Sequence, residues 1–240
     1  MIIDYITKLF AFFWSVLARF CCCFNLPATI YDSFFTKPIS RYTYYSLYDR
    51  IEKDLPKIKR ILDVGTGTGV ALGSIIDKIP RATHITGIDI NKDYIKHAKK
   101  LFSAYENVTV RHQDFYDLES SSEKYDMIVL GSSFMLMPDP KKALEIVKSL
   151  LAENGKVYFL MTLYNEKKPL AEKVKPLLKY FTTIDFGKAT YENEFIELLK
   201  ASNLDITFNE RISSTFLFRF FRIFIIETVL QKNKKEGVTI

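Results

Sequence analysis

Cysteine is almost missing from this chain of 240 residues, and the three that occur, Cys21, Cys22 and Cys23, sit side by side. Adjacent thiols cannot clip distant segments together, so a disulfide framework is excluded and a reducing compartment is the simpler setting. Glycine and proline are scarce as well, at 9 and 8 residues, which excludes collagen-like and low-complexity chains. No internal repeat is found. Neither sign of charge dominates: 34 basic against 28 acidic residues leave +6, an excess partly gathered in Lys232, Lys234 and Lys235. That balance suits an anionic surface only weakly and does not mark a nucleic-acid binder. What the chain has in quantity is apolar surface. With 48% hydrophobic and 15% aromatic residues it is too apolar for disorder and long enough to bury one sizeable α/β core.

The apolar content is highest at the start, where Asp4, Lys8 and Arg19 are the charged residues between Ile2 and Phe24. The longest uncharged stretch, Leu9 to Ala18, is about half of the roughly 20 residues that cross a bilayer as a helix. At helical spacing Asp4, Thr7, Lys8, Ala11, Ser15, Ala18, Arg19 and Cys22 share one strip, and Phe10, Phe12, Phe13, Trp14, Val16, Leu17 and Phe20 cover the rest. An amphipathic helix with so wide an aromatic face is expected to lie in a membrane interface, with Cys21–Cys23 as acylation candidates. The other readings are a helix packed on the domain or in a homodimer, and a signal peptide or tilted span, although no small-residue cleavage site follows.

From Arg60 onward strand-like and helix-like segments alternate. Arg60–Val64, His84–Ile90, Val108–His112, Tyr125–Leu130, Lys156–Leu163, Asp205–Ile212 and Arg222–Leu230 read as strands, and Gly69–Ile79, Asp93–Ala104, Lys141–Leu151 and Glu192–Ala201 as helices. Asn154-Gly155 is a turn signal before the fifth strand. Tyr164–Ala189 reads as an insertion, and Phe216–Phe221 as an aromatic link between the last two strands. The alternation predicts a Rossmann-like α/β fold: a seven-stranded, mostly parallel sheet with helices on both faces. The chain divides into an amphipathic helix (1–26), a helical cap (27–58), the α/β domain (59–231) and a basic tail (232–240).

Chemistry concentrates in Ile61-Leu62-Asp63-Val64-Gly65-Thr66-Gly67-Thr68-Gly69. A strand enters a glycine-rich turn and a helix follows, which lets backbone approach a ligand where side chains would collide. The dinucleotide fingerprint wants glycine at its sixth place, and Val70 stands there; a phosphate-binding loop wants a lysine, and none is present. Asp89, at the end of the second strand, is placed to accept the ribose hydroxyls of a nucleoside lying across the strand ends. Asp114, at the end of the third, suits an adenine amino group, with Phe115 beside the ring.

Together these motifs resemble the class I S-adenosylmethionine-dependent methyltransferases. The run Tyr125–Leu130, Pro138-Asp139-Pro140 and Leu151–Lys156 is similar to the branch that methylates quinones, sterols and phospholipids. The resemblance implies that Asp63, Gly65, Thr66, Gly67 and Gly69 hold the methionine end of S-adenosylmethionine, Asp89 its ribose, and Asp114 and Phe115 its adenine. Ile90 and Leu130, at strand ends, join that set. Many members of the branch carry a histidine after the fourth strand; Ser132-Ser133-Phe134 stands here, so no catalytic base is assigned. The signature of enzymes that methylate nucleic-acid amino groups is missing too, and no metal site is expected. Tyr31, Tyr42, Tyr44 and Tyr45, in the segment that commonly covers the active site in this family, are candidates to hold an amine or ammonium acceptor by cation–π contact. The expectation is an enzyme facing the cytoplasm, peripheral or monotopic on a membrane through residues 2–24, that methylates a lipid or other hydrophobic small molecule on N or O. A soluble-metabolite enzyme with a dimerising N-terminus, and a silent cofactor-binding adaptor, are the alternatives.

Overall fold

The computed structural model describes residues 41–164, 190–212 and 223–230. The expected interfacial helix with Cys21–Cys23, Tyr31, the insertion from 165 to 189, the aromatic link at 216–221 and the tail at 232–240 lie outside the described residues. Among those described, no helix is long and apolar enough to cross a membrane.

Short β-rich runs bounded by turn residues supply the strands. In chain order the elements are α1 (Arg41–Ile51), β1 (Arg60–Val64), α2 (Val70–Gly73), β2 (His84–Asp89), α3 (Lys92–Leu101), β3 (Val108–His112), β4 (Tyr125–Gly131), α4 (Pro140–Leu150), β5 (Leu151–Thr162), α5 (Glu192–Ala201), β6 (Leu204–Ile212) and β7 (Ile223–Leu230). They build one seven-stranded sheet in the order β3-β2-β1-β4-β5-β7-β6. The first five in that order run parallel, and β7 pairs antiparallel with both β5 and β6. The chain reverses direction across the sheet between β1 and β4, the place where open α/β sheets bind ligands at the carboxyl ends of their strands.

Both faces of the sheet are buried, as the strands' nearly unbroken apolar runs require. Leu62, Val64, Ile128, Leu130, Val157 and Phe159 point to one side, against α4 and α5, where Phe134, Phe159 and Phe195 meet edge-on with centroids 5.1 to 5.3 Å apart. The alternate residues Ile61, Met127, Val129, Tyr158 and Leu160 face α1, α2 and α3. Asp63 belongs to this second set by the period of two. Above it lies α1, whose buried residues Tyr44, Leu47 and Ile51 follow helical spacing.

Two expected elements take a different form. The helix predicted over Gly69–Ile79 is a single turn, Val70–Gly73, followed by a 3₁₀ turn at Ile76–Lys78. The Ser74 hydroxyl donates to the Ala71 carbonyl at 2.6 Å, and a Cβ at Gly73 would come within 3.1 Å of Leu101 on α3, so the chain bends where α3 presses on it. The Asn154-Gly155 signal is realised inside β5 as a bulge. Asn154 takes φ 60°, and Tyr125 and Met127 of β4 pair with Leu151 and Lys156, which leaves the extra residues of β5 without partners on β4.

Candidate active site at the carboxyl ends of the strands

The glycine turn after β1 is fixed from behind by β2: the amides of Gly65 and Thr66 both donate to the Ile88 carbonyl, at 2.9 and 3.0 Å. Gly65, Gly67 and Gly69 all have positive φ, at 75°, 58° and 81°. Their surroundings separate their roles. A Cβ at Gly65 would collide with Ser133 at 2.5 Å and one at Gly69 with Phe102 at 2.6 Å, so these two let the turn pack closely on its neighbours. A Cβ at Gly67 would meet nothing within 4 Å, so backbone here faces an open cradle.

Asp63 lies just before this turn and is only 1% exposed. Its Oδ1 accepts a hydrogen bond from the Tyr44 hydroxyl at 2.8 Å, whereas Oδ2 is buried without a partner. Of the four buried side-chain atoms left without a partner among the described residues, two are here, Asp63 Oδ2 and Thr66 Oγ1. Native structures rarely leave such groups unpaired, so the pair marks a place built for a polar ligand. Burial pushes the Asp63 carboxyl up to about 6, opposed by the hydroxyls of Thr66 and Tyr44 and reinforced by the charge of Asp89.

Asp89 ends β2 on the far side of the turn. Its Oδ2 accepts from the Gly67 amide at 2.9 Å and its Oδ1 from the Asn91 amide at 2.8 Å. Partial burial raises its carboxyl, while those two amides and His112 hold it down. Each oxygen keeps a lone pair for a further donor such as a ribose hydroxyl. At the end of β3, Asp114 is exposed and caps the 3₁₀ turn Phe115–Ser120 by accepting from the Tyr116 amide at 2.9 Å.

The remaining expected site residues divide. Ile90 is 71% exposed directly after Asp89, an apolar surface at the rim. The Phe115 and Leu130 side chains lie in the core on the α4 side, at 4% and 0% exposure, Leu130 through the pleat of β4 and Phe115 through the 3₁₀ turn after β3. Of these two residues only the backbone remains to reach a ligand. Among the described tyrosines, Tyr44 and Tyr45 do not share one aromatic cage. Tyr44 points into the sheet at Asp63, whereas Tyr45 stacks with Tyr48 on the Lys78 ammonium, at 4.8 and 4.5 Å, on the flank of the domain. One helical position separates those directions. Tyr42 is partly buried against the core.

Ser133 stands where the sequence pattern shows only the absence of a histidine. Its hydroxyl donates to the Val64 carbonyl at 2.6 Å and ties the loop after β4 to the glycine turn. A close seryl–glycyl pairing at the site could have been suspected only from the two adjacent serines after β4. A separate depression lined by Arg81, His84, Glu106 and Asn107 lies at the opposite end of β2 and β3 and contains none of these residues.

S-adenosylmethionine fits this donor set. The unpartnered Asp63 oxygen answers an ammonium, the open backbone at Gly67 admits a close ligand, and Asp89 stands where a ribose would pass.

Known proteins share this fold and domain. The family described as "Methyltransferase domain" matches residues 56–204. The chain is 26% identical over 157 residues to malonyl-[acyl-carrier protein] O-methyltransferase 2 of Ilyobacter polytropus, covering 61% of this chain and 60% of that one. It is 26% identical over 170 residues to demethylmenaquinone methyltransferase of Staphylococcus aureus, covering 70% of each. Against the first of these relatives, therefore, the chain spans less than two thirds of the length, and against another malonyl-[acyl-carrier protein] O-methyltransferase, from Halalkalibacterium halodurans, 41%. The solved structure of an S-adenosylmethionine-dependent methyltransferase from Clostridium acetobutylicum shares the fold, with a TM-score of 0.62 at 15% identity over 88% of this chain and 100% of that one. A seven-stranded sheet with its glycine turn at the switch between β1 and β4, matched by the family over more than half of its length, places this chain among the class I S-adenosylmethionine-dependent methyltransferases.

Proposed function

We propose that this protein transfers a methyl group from S-adenosylmethionine to N or O of an amphiphilic small molecule, a lipid or a quinone-like acceptor, at a membrane surface. The observation that carries the methyl-donor part is the buried Asp63 with one unpartnered oxygen beside the open backbone of Gly67. When bound, the cofactor supplies a methyl group activated on a sulfonium. The chain's contribution is orientation. Asp63 pairs with the ammonium, the open backbone at Gly67 lets the methionine end come close, Asp89 accepts from the ribose hydroxyls, and Ile90 covers an apolar flank. In the loop after β4 the Ser133 hydroxyl is spent on Val64, and no base is assigned. Positioning of donor and acceptor about 3 to 3.5 Å apart is then the main source of rate.

Support for an amphiphilic acceptor comes from the rim and from the sequence. Ile90 and Leu136, 71% and 44% exposed, are two of the three exposed large hydrophobics among the described residues, and both follow strands at this end of the sheet. The apolar segment Ile2–Phe24 adds a surface suited to a lipid interface. The quinone named for the Staphylococcus aureus relative is an acceptor of this chemical kind.

The test is transfer of radiolabelled methyl from S-adenosylmethionine to a total lipid extract in liposomes, beside a deproteinised water-soluble extract, with the full chain and with a chain lacking residues 1–26. Label in the lipid fraction that falls on truncation is the expected result. Label confined to the soluble fraction overturns the lipid acceptor and leaves the first segment a packing or dimerisation role.

A further inference from the structure

We propose that Tyr44 is a positioning residue of the methyl-donor site, holding Asp63 by one oxygen so that the other is presented to the cofactor's ammonium. The proposal rests on the reading of Asp63 as the ammonium partner and adds a residue from outside the glycine motif. Tyr44 is 5% exposed, and its hydroxyl lies 2.8 Å from Asp63 Oδ1. That hydroxyl occupies a place kept clear by Gly131 at the end of β4, where a Cβ would come within 2.5 Å of it. Asp63 pairs in register with Val129, two residues before Gly131 on the same face, so the hydroxyl is wedged between β1 and β4 at the point where the sheet reverses its connection.

Nor is Tyr44 free to swing away: Leu47 and Ile51 of the same helix are 1% and 0% exposed and seat α1 in the core. A carboxylate in so apolar a place has two ways to fail as an ammonium partner: it takes up a proton, or it rotates. A fixed donor on one oxygen opposes both, because a hydrogen bond to the ionised form favours that form and fixes the plane of the group. Titratable groups that act on Asp63 are Tyr44 from α1 and Asp89 from the end of β2. Tyr158 and Glu227 share the same sheet face but are closed in a network of their own.

The experiment is calorimetric binding of S-adenosylhomocysteine, which carries the same ammonium, to the full-length protein between pH 5 and 8.5. Affinity of the unsubstituted protein falls as pH drops through about 6, where the Asp63 carboxyl takes its proton. Tyr44→Phe keeps the ring and loses the donor, so the fall moves to higher pH: binding is roughly tenfold weaker at pH 5.5 and within about threefold at pH 8. Placing 3-fluorotyrosine at position 44 keeps both ring and hydroxyl, makes the hydroxyl a stronger donor and moves the fall to lower pH, so the proposal is tested even if the phenylalanine variant folds poorly. Asp63→Asn flattens the acid limb altogether. A limb that stays in place in both Tyr44 variants, or a Tyr44→Phe loss equal at every pH, overturns the proposal and leaves Tyr44 a packing residue. Asp63→Asn binding as tightly as the unsubstituted protein across the range overturns the ammonium reading of Asp63 and this proposal with it.

Discussion

Asp63 and Glu227 stand in one row across the sheet, in register through Val129 and Tyr158, and both lie beneath α1. They are equally buried, at 1% and 2% exposure. Their surroundings could hardly differ more. Glu227 accepts from the Tyr158 hydroxyl at 2.9 Å and the Thr207 hydroxyl at 2.8 Å, and pairs with Arg50 at 3.1 Å and Lys156 at 3.3 Å. Burial alone would raise its carboxyl, but the bonds from Thr207 and Tyr158 and the charges of Lys156 and Arg50 bring it below the ordinary value. Asp63 has one close donor, Tyr44, with the Thr66 hydroxyl the other group that holds its carboxyl down, yet burial pushes it up to about 6. The contrast separates two uses of a buried acid. Where every lone pair is met by the protein itself the acid is a structural tie; where one oxygen is left bare the protein carries a cost that only a ligand can offset.

The largest expected effect breaks the structural tie. Glu227→Ala leaves Arg50 and Lys156 without their shared partner and costs about 3 to 5 kcal/mol in urea unfolding, with cofactor affinity of the folded fraction unchanged. Next comes the pH dependence of stability without ligand. The folded protein binds the Asp63 proton more tightly than the unfolded chain, whose carboxyl has the ordinary value of 3.8, so stability contributed by the protonated form is full below that value and is lost as pH rises to about 6. Glu227 acts in the opposite sense, since its stabilisation is present above the ordinary carboxylate range and is lost as pH falls. Asp63→Asn therefore removes a decline of at most about 3 kcal/mol between pH 4 and 7, measured by denaturant unfolding at each pH. Asp89 sharpens the comparison as the intermediate case, with both oxygens held by backbone amides yet open to the rim. Asp89→Ala is expected to weaken S-adenosylmethionine binding by about 1.5 to 3 kcal/mol in calorimetry. The smallest effect is Thr207→Val, which removes one of four partners of Glu227 and costs about 1 kcal/mol in thermal or urea unfolding.

Much of the architecture was legible because it depends on local pattern. The strand β1 ends at Val64 and helix α5 spans Glu192–Ala201 as the apolar periodicity places them, and the acids Asp63 and Asp89 flank the glycine turn as the motif implies. Side-chain direction was harder to read. Leu130 and Phe115 stand beside the site in sequence, yet the pleat of β4 and the turn after β3 send them into the opposite core. Tyr44 and Tyr45 are neighbours in sequence with opposite destinations, Asp63 and Lys78, because a helix rotates each residue by about 100°. Contacts between distant segments left no local trace at all. Nothing near Glu227 in the chain announces Tyr158 or Arg50, which reach it from β5 and α1, and nothing near Gly65 announces Ser133.

The most direct test of the central claim, that the half-satisfied acid serves the ligand and the satisfied one serves the fold, pairs Asp63→Asn with Glu227→Gln and measures S-adenosylmethionine affinity by calorimetry beside the melting temperature of each ligand-free protein. The account predicts that Asp63→Asn loses at least about tenfold in affinity at pH 7.5 with its melting temperature kept or raised, and that Glu227→Gln melts lower and binds as before. Equal losses of affinity in both variants, or affinity retained in Asp63→Asn, would contradict it.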